Sequence, residues 1–169
     1  MVATGATPFL RHTRDAFAQA SGEAAVLEAA VRLEQRAELA YTTAVDSGAL
    51  GTLEPLVRLL AEQEAEHAAG LSRLLRAVGG RPPPKPEHAD EVPGLAEALT
   101  ADSGNFALFA LELEAGLVAA YHEAFAKLES RRPLQTVTSI VANEAQHLVV
   151  LRAAQGSDPS AGPFVPGER

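Results

Sequence analysis

The sequence contains no cysteine. That excludes disulfides, thiolate metal sites, iron–sulfur clusters and rubredoxin-type centres, and it leaves the compartment open. Methionine occurs once, at Met1, so no internal thioether is present as a heme ligand. Basic residues are in deficit: 14 Lys and Arg against 22 Asp and Glu give a net charge of −8, with no basic cluster. Nucleic acid and an anionic membrane are therefore not expected as partners. Long apolar runs are missing too, since no stretch approaches the ~18–20 apolar residues that read as a membrane span. The N-terminal MVATGATPFLRHTRDAFAQA has no apolar core of signal-peptide length and is interrupted by Arg11 and Arg14. The expectation is a cytoplasmic protein, the alternative being one whose export signal has been removed.

What is present is rich in alanine and leucine, and 47% of the 169 residues are hydrophobic. Those residue types suit close-packed helices better than strands. A chain of this length is a usual single domain and can bury roughly 70% of its unfolded surface. Four helices are expected. The first runs from an N-cap near Ser21 to Asp46-Ser47-Gly48, and the second from about Thr52, with Pro55 in its first turn, to Gly79-Gly80. RPPPKPEHADEVPG, residues 81–94, reads as an extended connection. A third helix covers about 103–131, and Pro133 opens a fourth that ends near Gly156. Residues 1–20 form an extension, with a short amphipathic helix through Phe9, Leu10 and Phe17 as an option. Residues 157–169 form a Pro- and Gly-rich tail, leaving 21–156 as the domain. Connections that are short, long and short give two antiparallel pairs joined by one crossover, an all-α, up-down four-helix bundle.

Two helices carry residues out of character with a buried seam. In the fourth, Ile140, Glu144, His147 and Leu151 step four, three and four apart, the apolar stripe of a packed helix. In the second, Leu60, Glu64, His67 and Leu71 repeat that stepping at a constant offset of 80. One Glu-x-x-His means little; two in register on apolar seams mean more. The offset extends to the other pair, where RLEQRAELAY at 32–41 lies over ELEAGLVAAY at 112–121. Leu33 matches Leu113, Glu34 matches Glu114 and Tyr41 matches Tyr121. The chain therefore reads as two helical hairpins of one pattern.

The chemistry follows from helix geometry. Side chains at i and i+3 share a face, so each Glu-x-x-His can reach one point in the core. Glu34 lies on the seam Leu27, Val31, Tyr41, and Glu114 on the seam Ala107, Leu111, Tyr121. Four carboxylates converging in a dry core would repel one another and cost several kcal/mol per unpaired ion. Two divalent cations balance them. One Glu from each of two helices, with Glu-x-x-His from each of the others, is the di-iron or di-manganese carboxylate pattern of bundles.

On these residues the sequence resembles the ferritin-like superfamily. Within it, VGGRPPP (78–84) and ANEAQHLVVL (142–151) resemble a bacterial ferritin-like group, the likeness spanning about residues 25–165. The resemblance implies metal ligands at Glu34, Glu64, His67, Glu114, Glu144 and His147, and a tyrosine two turns beyond the first Glu, matched by Tyr41. It favours iron, with Mn or Zn as alternatives, and gives fold and site more firmly than substrate.

Other residues draw plainer readings. Tyr41 and Tyr121 are bundle-filling aromatics first; the functional alternative is a hydrogen bond to a ligand carboxylate, or passage of an electron. Glu38 breaks the repeat, since Val118 occupies the matching position. A solvated face is expected for it, an extra ligand or base one turn from Glu34 being the alternative. Glu62, Glu66, Glu112 and Glu123 fall off the seams, and His12, His88 and His122 lack partners at ligand spacing.

The functional expectation is a di-metal oxidase that uses O2 or peroxide, with Fe(II) oxidation as its simplest reaction. Three alternatives stand beside it: a storage cage, against which the lack of a fifth helix argues; a manganese catalase; and a structural or stress-associated bundle whose metal contributes only folding energy. One chain supplies every ligand, so a homo-oligomer is not required.

Overall fold

The computed structural model describes residues 17, 20–100, 103–160, 162–163 and 165. Phe9, Leu10 and His12 lie outside the described residues. Among the described residues five α-helices have defined bounds: α1 (Glu23–Ser47), α2 (Glu54–Ala77), the short α3 (Leu95–Leu99), α4 (Ser103–Phe125) and α5 (Arg131–Ala154). No strand occurs among the described residues. The architecture is an all-α bundle. α1 packs on α2 and α4 on α5 as hairpins; the hairpins then join through α1 against α4 and α2 against α5.

Local chemistry sets the helix ends. The N-cap of α1 is Gly22, with φ 85°, in place of the expected Ser21, and no side-chain cap bond forms there. The helix ends at Gly48 in the left-handed conformation, whose N–H reaches Val45 O, the common glycine stop. Pro55 sits in the first turn of α2, where its missing N–H costs nothing. The paired glycines after α2 have different reasons. Gly79 needs a φ of 85°, whereas a Cβ on Gly80 would stand 2.2 Å from Leu75 Cδ1.

The crossover departs from a purely extended run. Residues 81–88 are extended, but a 3-10 turn follows at Ala89–Glu91, and α3 starts after Gly94 and packs on α4. The Glu91 carboxylate accepts the backbone N–H of Glu87 and His88 at 2.8 and 3.0 Å, closing that turn. Val92, Leu95 and Ala98 are buried beneath it, so the segment contributes to the core.

α4 ends at Phe125, six residues before the expected boundary. Ala-Lys-Leu-Glu has good helix propensity, yet tertiary contacts override it. The Lys127 ammonium donates to the carbonyls of Phe17 and Ala20, and Ser130 N–H donates to Glu23 Oε1 at 3.0 Å. These bonds fasten the α4–α5 turn to the start of α1. By length and composition α4 is apolar enough to cross a membrane, which qualifies the expectation from apolar runs; most of that stretch is buried inside the bundle.

The seams face inward as their periodicity requires. Leu27, Leu33, Leu60, Leu71, Leu75 and Leu113 are fully buried, each stabilising the fold by about 1.5–3 kcal/mol.

Candidate metal centre

The cluster lies between the four long helices. Glu34 comes from α1, Glu64 and His67 from α2, Glu114 from α4, Glu144 and His147 from α5. All four carboxylates are fully buried; the His147 side chain is 2% exposed and that of His67 12%. Leu111, on the Glu114 seam, is only half-buried.

Two groups of four residues can each close on one ion: Glu34, Glu64, His67 and Glu144; and Glu64, Glu114, Glu144 and His147. Within each group the ligand atoms lie within 4.8 Å of one another. Glu64 and Glu144 belong to both, and their oxygens divide accordingly. Glu64 sets Oε2 3.4 Å from His67 Nδ1 and Oε1 3.1 Å from His147 Nδ1. Glu144 sets Oε1 3.0 Å from His67 Nδ1 and Oε2 3.2 Å from His147 Nδ1. The imidazoles stack with centroids 6.1 Å apart.

These contacts are close without being satisfied. Both oxygens of Glu64, both of Glu144, Glu34 Oε2 and His67 Nδ1 are buried with no hydrogen bond, although several lie at ion-pair distance. Distance alone does not make a hydrogen bond; alignment is also required. Unpaired buried carboxylate oxygens facing two imidazole nitrogens are what two divalent cations would complete. The donor set therefore fits a metal pair.

The outer atoms of the same residues are held, and always from the other hairpin. Tyr121 on α4 donates its hydroxyl to Glu34 Oε1, and Tyr41 on α1 donates to Glu114 Oε1. Both phenols are fully buried, Tyr41 edge-on to Phe106 and Tyr121 against Phe17. Asn143 Oδ1 lies 3.0 Å from His67 Nε2, and Gln63 Oε1 lies 2.8 Å from His147 Nε2. The sequence reading missed Gln63 and Asn143. The signal was present, because an amide precedes the Glu of both Glu-x-x-His segments at the same offset of 80.

Without metal, the site retains protons. Burial, then the charges of Glu144 and Glu64, push the Glu34 carboxyl well above the ordinary carboxylate range. Glu114 is pushed up to about 8, by burial first and Glu144 second. Burial works against charging the imidazoles, but the surrounding carboxylates outweigh it. Glu114, Glu144 and Glu64 raise His147 to about 12, and Glu144, Glu34 and Glu64 push His67 well above the ordinary imidazole range. Burial and Glu114 raise the Tyr41 phenol, which stays a neutral donor.

Glu38 lies away from this cluster. Lys85 of the crossover binds both its oxygens, at 2.7 and 2.8 Å. Glu62, Glu66, Glu112, Glu123, His88 and His122 are exposed.

Two helical hairpins closing on a carboxylate–histidine centre define a ferritin-like protein. A profile of the ferritin-like domain family matches residues 22–157, and the chain belongs to that family. No curated protein matches it.

Proposed function

We propose that this chain is a di-metal carboxylate protein holding two divalent cations, iron in the first instance, and that it oxidises Fe(II) with O2 or peroxide. The observation that carries the reading is the overlap of the two ligand groups on Glu64 and Glu144, with their buried oxygens unpaired. Charge supports it, because four carboxylates offset two divalent cations. Carboxylate and imidazole also accept Mn and Zn, and iron is chosen on the family likeness.

When bound, an iron pair supplies two adjacent one-electron couples in a site shielded from bulk water. The chain's residues supply the rest. Glu34 with His67, and Glu114 with His147, would hold the outer positions, while Glu64 and Glu144 would span both. Tyr121 and Tyr41 fix the orientation of the outer carboxylates, and full burial keeps all four carboxylates out of bulk water. His67, 12% exposed, lies nearest solvent, which supports approach of Fe(II) and a small oxidant from that side.

The test is anaerobic loading with Fe(II) followed by O2, with oxygen uptake and Fe(III) absorbance recorded. Uptake well above the Fe(II) blank, abolished in Glu144→Ala, supports the oxidase. Two irons bound with uptake no faster than the blank would replace it with a structural metal site.

A further inference from the structure

Gln63 and Asn143 are half-buried amides on α2 and α5, each one residue before a shared carboxylate. Neither reaches the histidine of its own helix. Gln63 meets His147 and Asn143 meets His67, so each amide crosses to the opposite hairpin. With its carbonyl oxygen facing Nε2, each amide accepts the Nε2 proton and leaves Nδ1, on the inner side of the ring, as the nitrogen that would give up its proton to a metal. Both Nδ1 atoms lie 3.0–3.4 Å from carboxylate oxygens of the cluster.

The chemical type of these partners matters as much as their position. Groups that hold a metal-ligating histidine by its outer N–H include carboxylates, carbonyls and water, and they tune ligand basicity. A carboxylate at either position would add a fifth negative charge to a site where four already balance two divalent cations. An amide fixes the ring and adds none.

We infer that Gln63 and Asn143 are positioning residues: neutral, crossed latches that orient the opposite hairpin's histidine and keep the centre matched to divalent rather than trivalent iron. This rests on the di-metal reading above and deepens it. Iron oxidised there is held less tightly than it would be by a carboxylate-latched site, which suits Fe(II) as a substrate that leaves as Fe(III).

The experiment uses the full chain and Co(II), read by its visible absorption, with far-UV circular dichroism confirming helicity. Wild type should bind two Co(II). Asn143→Leu should weaken one of the two by roughly 10–100-fold, and Gln63→Leu should weaken the other. In double variants, Asn143→Leu should add nothing to His67→Ala yet add fully to His147→Ala, with Gln63→Leu showing the converse. Full additivity in both pairings, or no effect of either amide, overturns the latch. Wild type binding no Co(II) would instead sink the di-metal reading and the latch with it.

Asn143→Asp separates charge from shape. It should restore Co(II) binding, and in the iron-loaded protein it should favour Fe(III) over Fe(II) by about tenfold or more, lowering the midpoint potential. An unchanged potential refutes the charge assignment. The isosteric substitution at a half-buried position keeps that outcome readable even where the Leu variants misfold.

Discussion

The hydroxyl of Tyr121 on α4 donates to the carboxylate of Glu34 on α1, 87 residues away in sequence. Its repeat counterpart, Tyr41, donates to Glu114. The outer Glu and His of each half-site come from one hairpin, while their hydrogen-bonding supports come from the other. Crossed bonds of this kind couple docking of the hairpins to assembly of the site.

Tyr121→Phe removes the donor and leaves a buried carboxylate oxygen unsatisfied, a loss of about 1–3 kcal/mol in unfolding free energy. Tyr41→Phe should cost a similar amount through Glu114. Urea unfolding of the metal-free chains measures both. A loss in one variant and none in the other contradicts the paired arrangement.

Metal-free stability should fall as pH rises. Glu34, Glu114, His67 and His147 all bind protons more tightly in the fold than in the unfolded chain. The folded state then holds the extra protons, so unfolding free energy decreases with pH. For Glu114 the contribution fades between the ordinary carboxylate range and about 8, and for His147 between the ordinary imidazole range and about 12. Metal displaces those protons, so its stabilisation should grow over the same window. Thermal melts at pH 6 and pH 9, with and without Co(II), check both signs. A metal-free Tm that climbs from pH 6 to 9 contradicts this account.

Lys85 and Glu38 clip the crossover to α1 from outside, with the Lys85 side chain 63% exposed. Exposed pairs contribute about 0–1 kcal/mol. Lys85→Ala should therefore alter stability within that range and leave metal stoichiometry unchanged. Loss of a metal on Glu38→Gln would return Glu38 to the ligand set.

Most of the bundle was legible in the sequence because helix periodicity and glycine and proline positions are local signals. α3 was not, since five residues between a proline-rich run and Thr100 leave no periodic trace. The end of α4 was not either, because Lys127 and Ser130 are held by residues over a hundred positions away. At the site, the 4-3-4 stepping pointed to Glu64, His67, Glu144 and His147 and the offset of 80 to Glu34 and Glu114, as face and offset are sequence properties. It gave no indication that Tyr121 would serve Glu34 and Tyr41 Glu114. A repeat tells which residues correspond; only the antiparallel docking of the hairpins decides which ones meet.

The central claim is a two-ion centre spanned by Glu64 and Glu144, tested most directly by metal stoichiometry after anaerobic Fe(II) loading and removal of loose metal. The account predicts about two irons per wild-type chain, as a paired site requires, and comparable losses in Glu64→Ala and Glu144→Ala. Close to no iron in the wild type, or a full pair retained in one variant and abolished in the other, would contradict it.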